Sequence, residues 1–320
     1  MADTSTRVLV AVDAAASATD AVEWAAAEAG ARGLGLRIVH VLRPTPSLDP
    51  SGFDTYARLR TAAAVAVEVL ESAMDRARLV DSDLPVDAAL LRGPAIRTLS
   101  EAALSAPLLV VGRRNRSATR RLLSPSVAGR LAARTPCPVV VVRHRELVPM
   151  PAPPRVVVGV TPGPAGLAAV EFGFTAAAQR GVPLALVHVT PEDATLNALA
   201  GVPHGSPATT GEAAVRDPEI RAAITAGQQQ FPDLDVSVAG PVGDAATVLL
   251  RESAGAALLV LGSAGRSPRR PWDLRSVGQR LLPAAQCPVA VVGSAAARTR
   301  LGGGARGGQS RSPADARKVL

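Results

Sequence analysis

Short unbroken runs of apolar residues alternate along this chain with Ala-rich stretches whose apolar positions recur every three or four residues. Val-Leu-Val-Ala-Val at 8–12 and Val-Val-Val-Val at 139–142 are typical of the short runs. A strand without polar alternation is buried on both faces, as in a parallel sheet, and each parallel pair needs a long crossover, usually a helix. The pattern predicts the order βαβαβαβαβ. It puts strands near 7–12, 36–42, 86–91, 107–111 and 138–142, with helices near 18–32, 55–79, 95–105 and 125–134. Ser17 suits the cap of the first helix, with Asp20 in its opening turn.

The same pattern then repeats. Arg7-Val-Leu-Val-Ala-Val-Asp13 matches Arg155-Val-Val-Val-Gly-Val-Thr161, and Leu36-Arg-Ile-Val-His-Val41 matches Leu184-Ala-Leu-Val-His-Val189, both at a shift of 148. Gly93 with Gly243, Leu108-Leu-Val-Val-Gly112 with Leu258-Leu-Val-Leu-Gly262, and Cys137-Pro-Val with Cys287-Pro-Val follow at a shift of 150. A fixed shift over the whole chain is the mark of a duplicated unit. Strands of the second copy fall near 155–160, 184–189, 235–239, 257–261 and 288–292. Its second helix is the least defined element, because residues 201–211 read as loop and Pro218 interrupts the helical stretch beyond them.

The expected fold is therefore α/β: two tandem Rossmann-like domains, each an open five-stranded parallel sheet with helices on both faces. The first domain spans 1–144 and the second 155–293, joined by a Pro-rich linker at 145–154 and followed by a basic Gly/Arg-rich tail at 294–320 that reads as disordered. Fully extended, the linker reaches at most ~35 Å.

Composition narrows the function classes. Aromatic residues make up 2% of the chain against 48% hydrophobic, so Val, Leu, Ile and Ala must fill the cores. No apolar run is long enough to cross a bilayer and no signal sequence opens the chain, which reads as soluble and cytoplasmic. The net charge of +8 is concentrated in part on the tail, through Arg298, Arg300, Arg306, Arg311, Arg317 and Lys318. Nucleic acid is a poor fit, since the aromatic groups that stack bases are nearly absent. Two cysteines, one per copy, give neither a disulfide framework nor a zinc site; Cys137 and Cys287 read as core residues.

Parallel open sheets bind ligands at the carboxyl ends of their strands, where the strand order reverses. After strand 4 stands Gly112-Arg-Arg-Asn115 in the first copy and Gly262-Ser-Ala-Gly265 in the second; nine residues further on, Pro125-Ser126 and Arg275-Ser276 open the last helix. Glycines let backbone N–H groups approach a phosphate, and a helix N-terminus adds donors.

Taken with the Asp at the end of strand 1, the His-Val strand end and the Cys-Pro-Val strand, these motifs resemble the universal stress protein family over both copies, roughly 7–143 and 155–293. The resemblance implies a non-enzymatic stress-response protein with an adenine-nucleotide-binding fold, which either takes ATP as its ligand or acts through protein partners without a nucleotide. Carried over, the ligand contacts fall on Asp13, Val41, Gly112, Asn115, Ser126 and Val127 in the first copy. In the second they fall on Val189, Gly262, Gly265, Arg275, Ser276 and Val277. It also implies pairing of the two copies within one chain as a pseudo-dimer, with a homodimer and an unidentified protein partner as further associations.

Both copies depart from the pattern. The first has Asn115 for the second glycine and Pro125 for the third, and Pro125 offers no N–H. The second has Thr161 in place of the aspartate and Arg275 for the third glycine, which either pairs with phosphate or fills its space. Asp13 reads equally as a nucleoside contact or as a cap of the first helix. His40 and His188 read as satisfied strand-end histidines. Arg113, Arg114, Arg116, Arg120 and Arg121, with Arg266, Arg269 and Arg270, read as solvated loops beside the glycines. Against an enzyme stand the missing Gly-x-x-x-x-Gly-Lys-Ser/Thr loop and a lone lysine, Lys318, in the tail.

Overall fold

The computed structural model describes residues 7–13, 17–43, 53–113, 130–131, 134–143, 153–190, 209–210, 215–263 and 274–294. The first repeat contains β1 (Arg7–Val12), α1 (Ser17–Ala31), β2 (Gly35–Leu42), α2 (Phe53–Val80), β3 (Val86–Arg92), α3 (Ala95–Ala102), β4 (Leu109–Arg113) and β5 (Val139–Arg143). The second contains β6 (Val156–Gly159), α4 (Pro164–Arg180), β7 (Leu184–Val187), β8 (Thr209–Thr210), α5 (Pro218–Gln230), β9 (Val236–Gly240), α6 (Ala245–Glu252), β10 (Leu258–Ser263), α7 (Leu274–Ala284) and β11 (Val289–Gly293).

Within the first repeat the strand order is β3-β2-β1-β4-β5, all parallel, so the direction of winding reverses between β1 and β4. Successive β1 side chains enter opposite layers, as the period-2 geometry of a strand requires. Val8, Val10 and Val12 pack with Ala21, Val22 and Ala25 of α1. Leu9 packs with Leu99 of α3 on the other face. Helices α1, α2, α4 and α5 cover one face of the sheet, and α3, α6 and α7 the other.

The two sheets are one. β5 and β11 pair antiparallel, with Val139 opposite Val291, Val140 opposite Ala290 and Val141 opposite Val289, making an 11-stranded sheet. Val140 and Ala290 are equivalent at the shift of 150, so a local twofold axis passes through that pair.

On one face the axis also relates α1 to α4. The Arg32 guanidinium lies 5.7 Å from the centre of the Phe172 ring, and Arg180 lies 5.5 Å from that of Trp24. Arg32 and Arg180, like Trp24 and Phe172, are equivalents at the shift of 148. Buried Glu28 breaks the symmetry by binding both cations: Arg32 Nε donates to it at 2.7 Å, and Arg180 Nη2 donates to it from the other repeat.

Two expectations are corrected. Pro218 does not interrupt the second helix of repeat two; it starts α5, where a missing N–H costs nothing. The Asp217 side chain caps it by accepting from the Glu219 and Ile220 amides. The stretch expected as loop at 201–211 also carries β8, which pairs antiparallel with β9 and gives the second repeat a sixth strand. The pattern could not show it: Thr209–Thr210 is two residues long. The helix expected at 125–134 and the linker expected at 145–154 lie largely outside the described residues.

Candidate functional site

Strand register assembles the carboxyl-end crevice of the first repeat. Val12 of β1 faces His40 of β2, and Ala11 faces Val111 of β4. Asp13, Val41 and Gly112 therefore lie at the carboxyl ends of three adjacent strands. At ~4.8 Å per strand spacing, they sit within about 10 Å of one another. Asp13 is half-buried, Gly112 is buried, and Val41 packs against the α3-side core.

His40 stands beside this group. Burial lowers its pKa, opposed by the Asp13 carboxylate and the Val12 backbone. Its Nδ1 is buried and lacks a hydrogen-bond partner among the described residues, although the Val12 backbone favours its protonated form. The equivalent His188 is satisfied, with Nδ1 3.1 Å from the Val160 carbonyl oxygen.

The second crevice is built differently. Thr161 follows β6 where Asp13 follows β1, and Val189 lies beyond the end of β7. Gly262 is pressed against the first turn of α4: a Cβ on it would lie 2.5 Å from the Ala165 carbonyl oxygen and 3.0 Å from the Gly166 amide nitrogen. Gly166 is tighter still, its missing Cβ falling 1.6 Å from the Thr161 carbonyl oxygen. The glycine at 262 is thus accounted for by packing of α4 onto β10.

Of the other expected contacts, Arg275 and Ser276 lie in the first turn of α7, and Val277 is half-buried against the α3-side core. Asn115, Ser126, Val127 and Gly265 lie outside the described residues. So do the Arg-rich loops beyond Arg113. Both cysteines are buried, and burial pushes each thiol up to about 11. Among the described residues no three His, Cys, Asp or Glu side chains are grouped to hold a metal ion, and no helix is long and apolar enough to cross a membrane.

Sequence reasoning missed two features. One is the Glu28, Arg32 and Arg180 cluster, whose only signal was a matched arginine pair at the shift of 148. The other is a cleft of about 500 Å³ between α1 and α2, lined among the described residues by Val12, Asp13, Val22, Glu68, Val69 and Arg76 with their neighbours.

Two open sheets of parallel strands, with the winding reversed between β1 and β4 in the first repeat and between β6 and β10 in the second, define a tandem α/β protein of two Rossmann-like repeats. The profile of the Universal stress protein family matches residues 4–143 and 154–293, and the chain belongs to that family. It is 30% identical over 292 residues to the universal stress protein Rv2005c of Mycobacterium tuberculosis, covering 89% of this chain and 96% of that one. A universal stress protein of Mycolicibacterium smegmatis matches with the same identity and coverage. The crystal structure of a universal stress protein from Archaeoglobus fulgidus superposes with a TM-score of 0.66 at 18% identity, over 90% of this chain and 96% of that chain, a likeness of fold.

Proposed function

We propose that this chain is a non-enzymatic stress-response protein that binds an adenine nucleotide, ATP among them, at the first repeat, while the second repeat serves as its structural partner. The observation that carries this reading is the asymmetry of the two crevices. Asp13 follows β1 beside Val41 and Gly112, where a carboxylate can accept from a nucleoside's hydroxyl groups; Thr161 stands in its place in the second repeat. Pro125 removes one N–H donor from the phosphate loop of the first repeat. Affinity then rests on the nucleoside more than on the phosphates, and ADP binds nearly as well as ATP.

Equilibrium binding of labelled ATP tests this. The unaltered chain binds one nucleotide, Asp13→Ala weakens binding by about tenfold, the loss of one charge-assisted hydrogen bond, and Thr161→Ala leaves it unchanged. No binding by the unaltered chain at millimolar ligand ends the proposal. Phosphate release above a buffer blank ends its non-enzymatic half.

A further inference from the structure

Helix α2 runs for 28 residues where its counterpart α5 runs for 13. At the shift of 150, α5 corresponds to residues 68–80, so the helical segment 53–67 is peculiar to the first repeat among the described residues. The fold gives that segment little support. Leu70, Ala73 and Ala77 of the second half are buried, whereas of residues 59–67 only Ala66 is buried and Ala63 partly so. Helices owe most of their stability to the packing of one face, and a helix that is apolar on several sides is ordinarily covered. Here Thr61-Ala-Ala-Ala-Val-Ala-Val67 holds no charge, and Val65 and Val67 are exposed at 45% and 46%.

Charge indicates what covers it. At about 100° per residue, the side of α2 turned away from buried Ala66, Leu70 and Ala73 carries Arg60, Thr61, Ala64, Val67, Glu68 and Glu71, all exposed. Arg60, Glu68 and Glu71 are the charged residues of the stretch 59–72. None of the three forms an ion pair with another described residue, whereas beyond them Asp75 pairs with Arg78 at 3.2 Å and Arg76 pairs with Glu23. Glu68 and Glu71 stand three apart, and Glu71 and Asp75 four apart, spacings at which like charges on a helix repel. The base lies four residues before Ala64, and the two acids lie four and seven after it. A twofold axis at Ala64 that sets two copies of α2 antiparallel therefore brings Arg60 of each opposite Glu68 of the other, with Glu71 within a turn. Val67 of each then lies opposite Thr61 of the other, and the small Ala64 lets the helices approach to about 8 Å.

We propose that two copies of this chain associate through the outward face of α2, in an antiparallel, self-complementary contact centred on Ala64 and closed at both ends by Arg60 against Glu68 and Glu71. The contact leaves the β5–β11 seam within each chain intact and does not depend on nucleotide binding. Two helices touching over residues 60–71, about 17 Å, make less than a standard interface, so the dimer is transient and forms with rising concentration.

Sedimentation velocity of the full chain over an about hundredfold range of concentration reads the association. Monomer is expected to convert to dimer as concentration rises. Arg60→Glu sets like charges against each other at both ends of the contact and weakens the dimer about tenfold. Adding Glu68→Arg and Glu71→Arg to Arg60→Glu restores it. Position 60 is exposed and outside the core, so an unchanged far-ultraviolet spectrum accompanies the loss. A second measurement uses Ala64→Cys, which at the axis joins two chains by air oxidation about tenfold faster than Leu104→Cys, a position exposed at 65% on the α3 side. Cys137 and Cys287 are buried with raised pKa values and do not compete. A chain that stays monomeric over the whole range overturns the proposal. So does a dimer indifferent to Arg60→Glu, which assigns association to another surface, and so do equal oxidation rates at the two introduced cysteines.

Discussion

Glu28 of α1 and Arg180 of α4 form an ion pair across the boundary between the repeats, with Glu28 4% and Arg180 17% exposed at the side chain. Removing one partner of a buried pair leaves the remaining charge without compensation, which is far costlier than the net worth of the pair. Here Glu28→Ala strands two cations, because Arg32 is 9% exposed and binds the same carboxylate. Burial and Arg32 already lower the Arg180 pKa, and Glu28 is what opposes them. The expected loss is about 3–5 kcal/mol of stability, read by urea denaturation. The fluorescence of Trp24, beneath Arg180, is expected to change in the folded state. A loss below about 1 kcal/mol, the range of exposed pairs, would show that the cluster is solvated.

The contact of α4 with the sheet makes a second prediction through two glycines with opposite surroundings. Gly166→Ala drives a methyl group into the Thr161 backbone at 1.6 Å and forces the helix off β10. Overpacking of this kind costs about 3 kcal/mol or more. Gly278, inside α7, has nothing within 4 Å of its missing Cβ. Gly278→Ala is expected to raise stability by about 0.5–1 kcal/mol through helix propensity and a stiffer unfolded chain. Paired thermal melts check both, and equal effects at the two positions would refute the packing argument.

Glycines also mark how far the fold is legible in the sequence. The strands are legible because they are apolar on both faces, and the repeat because Gly112 and Gly262, or Cys137 and Cys287, recur at one shift. The ends of elements are less so: β7 stops at Val187, two residues short of the expected 189, although the His188 amide still donates to the Ala239 carbonyl oxygen and Thr190 bridges to Val242 beyond it. At Pro218 and Asp217 the same residues signal either a break or a helix start, and only tertiary packing of Ile220 and Ile224 decides. Gly262 suggests room for phosphate in the sequence and is filled by α4 in the fold, because a glycine reports a missing side chain and not the group that takes its space.

Asp244 caps α6 and accepts from the Thr247 amide at 3.0 Å and from Arg280 of α7 at 2.8 Å. The Arg280 hydrogen bond, followed by those from Thr247, holds its pKa down at about 2, against an ordinary 3.8. A depressed carboxylate pKa contributes stability that is present above pH 3.8 and lost as pH falls toward 2. The site is exposed, so the effect on stability is small. Carboxyl carbon chemical shifts followed against pH are expected to show Asp244 titrating near 2, and Arg280→Gln to move it upward. A midpoint unmoved by that change would rule out Arg280 as the principal cause.

At the alkaline end the two cysteines set the behaviour. Each thiol is pushed by burial from 9.0 to about 11 in the folded chain, with weak opposition from Thr135 at Cys137 and from Ser253 at Cys287. A raised pKa means that the folded state holds the proton more tightly than the unfolded state. The associated stability is therefore complete below pH 9 and declines as pH rises toward 11, where the unfolded chain has already lost both protons. At pH 8 only about one folded thiol in a thousand is ionised. Alkylation of Cys137 and Cys287 should then follow unfolding, with both thiols reacting together at a rate that increases with denaturant and steepens above pH 9. A thiol that reacts at pH 8 without denaturant, before the far-ultraviolet signal changes, would show that its strand opens locally and that the β5–β11 seam is not a cooperative part of the fold.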